Sequence, residues 1–410
     1  MGEILFLAHR IPFPPDRGDK IRSHHLLRAL AAIAPVHVAT FGETDADMLA
    51  ELELAAVAAS HRLVRRTKPL NRAGIEALLF AKPVSLTAFD HQDLRTWIAR
   101  VLSERPIDTI FVFSGQMGQY IPPDFAGRVV VDLCDVDSAK FEAYAEKGHP
   151  PRSIIDRREG KLLAKEESCL AARAERVLLV SANEAALFRG RIAAPMQGKV
   201  AALRNGIDAR FFDPEKAGGE SPFDGQVGPH LVFTGQMDYP PNIAAVTRVA
   251  RSILPEIRKT HPDARFHIVG RAPTEQVRRL GQISGVEVWG EVPDVRPYLA
   301  HCDVVLAPLM IARGIQNKVL EAMAMARPVV LSPEAANGID GGDGEHFLVG
   351  RDDAALTGHI LDLLADPQRA GAIGLAAREY VVAHQSWEAM LKGMAAIVGR
   401  EPENEARRVA

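Results

Sequence analysis

The 410-residue chain predicts an α/β protein built from two doubly wound domains, and three observations predict it. The length exceeds that at which a single hydrophobic core stops growing. Short β-branched runs alternate with helical patterns, as in parallel sheets. Two stretches open alike, "ILFLAHRIPFPPDRGDKIRSHHLLRAL" and "LVFTGQMDYPPNIAAVTRVARSIL". Each reads as a buried strand, a Gly- and Pro-bearing loop, and a helix.

In chain order, the first half places strands at "EILFLA", "VHVATF", "IDTIFVF", "RVVVDL" and "RVLLVS". A long charged helix around "DRREGKLLAKEESCLAARA" separates the last two. "SANE" supplies Ser181 as N-cap and Glu184 three residues on, a capping box. This domain is expected over residues 1–212. The stretch 213–229, "DPEKAGGESPFDGQVGP", is rich in Gly, Pro and charge and reads as a linker. The second domain, 230–385, takes strands at "HLVFTG", "RFHIVG", "VEVWG", "DVVLAP" and "PVVLS". Residues 386–410 give an amphipathic helix, "SWEAMLKGMAAIV", expected to cross back to the first domain, and a frayed tail. In open α/β sheets ligands bind beyond the carboxyl ends of the strands, so two such domains facing each other would bring both first loops to one cleft.

Composition excludes several functions. A formal charge of -3 gives no general electrostatic case for nucleic acid or an anionic membrane. Cys134, Cys169 and Cys302 are far apart without a CxxC pair, which argues against a disulfide framework or zinc site. The apolar start is broken by His9 and Arg10, unlike a signal peptide, and no apolar run approaches the roughly 20 residues that span a bilayer. The expectation is a cytoplasmic protein, with docking on the cytoplasmic membrane face left open. The two first loops carry single glycines, Gly18 and Gly235, in place of GxGxxG, and no GKS or GKT occurs. These absences disfavour a dinucleotide oxidoreductase and a P-loop NTPase.

The most informative stretch is "RGIQNKVLEAMAMARPVVLS", Arg313 to Ser332. Ile315, Val319, Met323 and Ala326 recur at the spacing of a buried helical face, which leaves Lys318 and Glu321 as neighbours on another. One reading is a solvated ion pair worth a few tenths of a kcal/mol. The other sets a cation and an acceptor beside a helix N-terminus opened by Gly314, which suits a phosphorylated, hydroxyl-bearing ligand.

"KVLEAMAMARPVVLS" resembles the donor-site helix of the GT-B glycosyltransferases of family GT4, a retaining group. "RIPFPPDRGDKIRSHHLL", "VDLCDVDSAKF", "FTGQMDYPPN" and "DVRPYLAHCDVVLAPL" extend the resemblance to the sugar transferases of the exosortase/PEP-CTERM exopolysaccharide system. The resemblance implies a GT-B fold, two Rossmann-like domains facing across a cleft. It also implies transfer from a nucleotide sugar, expected to be UDP-linked, to a glycan or lipid-linked acceptor, with no cofactor or metal. Glu321 would accept hydrogen bonds from the ribose diol, as a carboxylate can. Lys318, with the N–H groups after Gly314 and around Asn317, would face the diphosphate. Gly235 would line the donor site. On the acceptor side Gly18 would admit close backbone approach, although an ordinary turn glycine explains it equally.

Three positions depart from the family pattern. Arg313 stands where relatives commonly have a Glu that contacts the donor sugar; it would face solvent, the β-phosphate, or a carboxylate on the sugar. Ala326 replaces a frequent glycine and must avoid a left-handed C′ conformation or accept roughly 1 kcal/mol of strain. Asp132, Asp135 and Asp137 follow the "RVVVDL" strand where many relatives place a catalytic histidine, so Asp132 and Asp135 join Gly18 as catalytic candidates. Asp135 and Asp137 mimic a DxD metal motif outside its usual context. "DGGDGEH" (340–346) suggests calcium without EF-hand spacing. His24 and His25 face different directions on a helix. The alternatives are a nucleotide-sugar 2-epimerase, for which no acid/base set is evident, and a silent nucleotide-sugar-binding scaffold.

Overall fold

The computed structural model describes residues 2–217, 219–312 and 315–400. The chain forms two units, the boundary falling between Asn205 and Gly206 and the chain returning to the first unit at Met390.

The first unit is built on strands β1 (Glu3–Ala8), β2 (Val36–Gly42), β3 (Ser60–Arg65), β4 (Ile107–Phe113), β5 (Arg128–Cys134), β6 (Arg176–Leu179) and β7 (Val200–Ala202). They form a parallel seven-stranded sheet ordered β3-β2-β1-β4-β5-β6-β7. β1 is buried at every position, as expected of a central parallel strand covered on both faces. The sheet order reverses between β1 and β4, the topological switch point at which α/β proteins gather ligands.

The second unit repeats the plan with β8 (His230–Thr234), β9 (Arg265–Val269), β10 (Val286–Gly290), β11 (Val304–Ala307), β12 (Val329–Leu331) and β13 (Leu348–Val349). This six-stranded sheet runs β10-β9-β8-β11-β12-β13, again parallel. Both units are Rossmann-like. Every strand read from the sequence is present. The three that were missed, β3, β7 and β13, are all sheet edges.

Three expectations change in detail. Residues 213–229 do not hang free between units. Asp213 pairs with Arg378 at 3.0 Å, and Phe223, 3% exposed, stacks on both His230 and His267, so the segment packs within the second unit. The expected terminal helix is two short ones, Trp387–Met390 and Met394–Ile397, with Gly393 at the break. Ser181 caps its helix through the Glu184 N–H. Glu184, however, accepts from the Val136 N–H at 2.9 Å and so ties down the loop after β5.

Candidate donor site

A cavity of about 530 Å³ opens at the carboxyl ends of β8 and β9. Its floor depends on two glycines. Gly235 has φ +151°, and a Cβ there would come within 2.9 Å of both Lys318 Nζ and Asn242 Nδ2. Gly270 has φ +149°, and its Cβ would lie 1.7 Å from the Gly235 carbonyl oxygen. Only glycine accepts such backbone and such contact.

One wall is the helix Asn317–Ala324, which buries Val319, Leu320, Ala322 and Met323 and thereby turns Lys318 and Glu321 to the cavity. Asn317, its first residue, lines the same opening. Arg313 and Gly314 lie outside the described residues. The helix ends with Ala326 N–H donating to Met323 O and Arg327 N–H to Ala322 O, the pair of bonds of a Schellman motif. Ala326 adopts φ +54°, so of the two outcomes open to it the chain takes the strained one.

Lys318 and Glu321 form no ion pair among the described residues. Lys318 Nζ instead donates to Asn242 Oδ1 at 2.5 Å and sits 4.2 Å from the Phe233 ring centroid, a cation–π contact. Asn242 is fixed in turn because its Nδ2 donates to Gln236 O at 2.8 Å. Burial lowers the Lys318 pKa to about 8, opposed by Glu321. Burial raises that of Glu321 to about 7, opposed by Lys318. The site thus holds a half-desolvated cation and a carboxyl group that no described side chain satisfies, each poised for a ligand. Arg271 adds a second cation at the rim, donating to Gln236 Oε1 at 3.0 Å.

In the first unit the structure separates the catalytic candidates. Asp132 is fully buried. Its Oδ2 accepts from Arg22 Nε at 3.0 Å and its Oδ1 from the Cys134 N–H at 3.0 Å. Arg22 also donates to Asn205 Oδ1 at 2.7 Å. With both oxygens occupied, Asp132 is an anchor and not a group offered to substrate. Asp135 is exposed on the following loop. Asp137 begins the helix Asp137–Lys147, and burial raises its pKa. Gly18 begins the helix Gly18–Ala31, and a Cβ there would meet nothing within 4 Å. The surrounding fold would accept a side chain there, so packing does not explain this glycine.

Other motifs resolve as scaffold. Lys20 is 1% exposed and donates to Asp47 at 3.0 Å, so the charged "RGDKIR" segment is largely internal pairing. His24 accepts from Arg28 Nε at 3.0 Å and packs edge-on to Phe13. In the 340–346 loop, His346 Nδ1 accepts from the Gly342 N–H and Asp343 from the Val349 N–H, which shapes a turn.

Sequence reasoning missed Asn242, Arg271 and His9. His9, just past β1, packs against Phe113 and Phe89 with Nε2 3.3 Å from Asp19 Oδ2. Nothing but its place after the first strand pointed to it. Asn242 stood inside the quoted "PPN" loop, but its distance from Lys318 along the chain hid the contact.

Comparison with known proteins bears on the family and the fold. Residues 228–366 match the family described as "Glycosyl transferases group 1". A GDP-mannose-dependent alpha-(1-6)-phosphatidylinositol monomannoside mannosyltransferase of Mycolicibacterium smegmatis is 33% identical over 152 residues, 33% of this chain and 39% of that protein. A GDP-mannose-dependent monoacylated alpha-(1-6)-phosphatidylinositol monomannoside mannosyltransferase of Corynebacterium glutamicum is 29% identical over 224 residues, 49% of this chain and 56% of that protein. The matched segments therefore span about two fifths and just over half of these relatives. Among solved structures, Anabaena HepE in complex with UDP and glucose aligns with TM-score 0.60 at 14% identity, covering 98% of this chain and 100% of that one. Sucrose-phosphate synthase from Thermosynechococcus elongatus aligns with TM-score 0.57 at 19% identity, covering 97% and 98%. These likenesses establish the fold as GT-B.

Proposed function

We propose that this chain, whose second unit is a group 1 glycosyltransferase domain, moves a sugar from a nucleoside-diphosphate donor to a glycan or lipid-linked acceptor. The observation that carries the reading is the Lys318–Asn242 contact beside an unsatisfied Glu321 in the Gly235–Gly270 cavity. Glu321 would accept from the ribose hydroxyls. Lys318, Arg271 and the amides at the start of the Asn317–Ala324 helix would hold the diphosphate. As the bond from C1 of the sugar to the diphosphate breaks, this positive field would stabilise the leaving oxygens without a divalent ion. The acceptor oxygen forms the new bond to C1, and its proton passes to the departing phosphate oxygen on the same face, with retention of configuration. Gly18 leaves room on the first unit for the acceptor.

We place the reaction in exopolysaccharide or cell-envelope synthesis at the cytoplasmic membrane face, the setting that the sequence motifs suggest and that the lipid-linked substrates named for the two mannosyltransferases parallel. The sequence resemblance favours a UDP-linked donor, whereas the two relatives are named for GDP-mannose. Incubation with labelled UDP-glucose, UDP-glucuronate and GDP-mannose tests the reading, with both melting temperature and transfer followed. A rise in melting temperature with one donor and its transfer or slow hydrolysis is expected. No shift with any nucleotide sugar would overturn it, and a shift without turnover would favour a binding scaffold.

A further inference from the structure

The helix Leu70–Leu79 of the first unit is inverted. It packs inward through its small residues Ala73 and Ala77, both fully buried, and Thr87 Oγ1 donates to the Ala73 carbonyl at 3.1 Å. Its large apolar residues turn outward, with Ile75 61%, Leu78 68% and Leu79 74% exposed, followed by Phe80 at 67%. At 100° per residue, Ile75, Leu78 and Leu79 centre opposite the Ala73–Ala77 stripe.

The neighbouring element extends this face. Arg158 donates to the carbonyls of Ala77 at 2.7 Å and Lys82 at 3.2 Å, which sets the start of the helix Arg152–Arg173 beside the end of Leu70–Leu79. Ile154 and Ile155, 60% and 56% exposed, lie one turn before Arg158 on the same side of that helix. The rim is basic. Lys82 and Arg157 are exposed with no carboxylate partner among the described residues, Arg72 shares Glu76 with Lys68, and Arg152 stands 3.9 Å from the buried Asp156, so the rim keeps a net positive charge.

We propose that this face seats the protein on an anionic phospholipid bilayer. Neighbouring exposed apolar side chains flanked by a net positive rim match the acyl boundary and the negative headgroups together. A two-fold contact with a second copy would bring the same cations against one another, which disfavours self-association. No helix among the described residues is long and apolar enough to cross a membrane, so contact through this face is peripheral. The proposal deepens the lipid-linked part of the function above. It uses none of the donor-site residues, so vesicle binding can fail while transfer survives, and the reverse.

The test is co-sedimentation of the full chain with phosphatidylcholine vesicles and with vesicles that also contain phosphatidylglycerol, without donor. Binding to the anionic vesicles alone is expected, weakening as salt shortens the screening length from about 10 Å at 0.1 M to about 3 Å at 1 M. Leu78→Glu with Leu79→Glu, and separately Ile75→Asp, should each reduce partitioning by roughly tenfold or more at an unchanged melting temperature. Arg72→Glu with Lys82→Glu should abolish the preference for anionic lipid. Wild-type chain that ignores both vesicles would overturn the proposal, as would variants that bind like wild type. A wild-type dimer that Leu78→Glu/Leu79→Glu converts to monomer, without vesicle binding, would assign the face to a second copy instead.

Discussion

Lys318 Nζ lies 2.5 Å from Asn242 Oδ1, while Glu321, one turn along the same helix, has no described side-chain partner. The cation is therefore positioned by a neutral amide and an aromatic face, neither of which cancels its charge. A carboxylate partner would have neutralised the field that a diphosphate needs. The first prediction follows from this choice. Asn242→Asp keeps the shape and supplies that carboxylate, so the donor KM should rise by about tenfold or more, equivalent to about 1.4 kcal/mol. Titration of nucleoside diphosphate against wild type and variant measures it, and equal affinities would remove Lys318 from the phosphate site.

Glu321 gives the second prediction. Glu321→Ala should weaken nucleotide binding by about 1.5–3 kcal/mol, the range for hydrogen bonds to a charged group. Glu321→Gln should do the same to binding while raising the donor-free melting temperature near pH 8, because it relieves a buried charge. Calorimetry on both variants reads the two effects separately. A destabilised Glu321→Gln with unchanged affinity would make the residue structural.

The pH dependence has a fixed sign. Glu321 is raised from 4.5 to about 7, so the folded chain keeps a proton that the unfolded chain has lost. Its contribution to stability is present below pH 4.5 and is lost as pH rises through about 7. Lys318 is lowered from 10.5 to about 8, so its contribution is present above pH 10.5 and is lost as pH falls through about 8. On the proposed roles, donor binding needs the Glu321 carboxylate and the Lys318 ammonium together. Affinity in the donor-free enzyme should therefore rise through about pH 7 and fall above about pH 8. Glu321→Gln should erase the lower limb alone.

Much of this was legible in the sequence, and the remainder failed for identifiable reasons. Central strands such as β1 and β8 are buried on both faces and read as continuous apolar runs. The edge strand Ser60–Arg65 is apolar only at Leu63 and Val64 in its buried part, so it carried no such signal. That Lys318, Glu321 and Gly235 line one cavity was legible because helical spacing and a glycine after a strand are local facts. Asp132 was misjudged because its partner, Arg22, is 110 residues away, and nothing local distinguishes a buried acceptor from an offered one. The 213–229 segment looked like a linker by composition, and one phenylalanine, Phe223, anchors it.

Ala326→Gly is the fourth prediction. Ala326 is the C′ residue of its helix with φ +54°, and glycine would relieve roughly 1 kcal/mol of left-handed strain. Part of that gain is offset by the greater freedom of glycine in the unfolded chain. A net rise in melting temperature is expected, with donor affinity unchanged because Ala326 lies at the far end of the helix from Lys318. A fall in stability would show that the neighbouring Gly374 helix, whose packing approaches the Ala326 carbonyl, sets the balance.

The last prediction separates an anchor from a working residue in the first unit. Asp132→Asn leaves Arg22, 2% exposed, without its counter-charge, and breaking a buried pair in this way costs about 3–5 kcal/mol. The variant should lose stability on that scale, and activity should fall only in step with the folded fraction. Gly18→Ala should behave oppositely. Open space around its Cβ and a helical start leave the melting temperature unchanged, while a methyl group at the proposed acceptor approach should lower kcat. Denaturant titration of both variants beside transfer assays distinguishes the two outcomes. A stable, inactive Asp132→Asn would return Asp132 to the reacting groups, and a fully active Gly18→Ala would remove Gly18 from them.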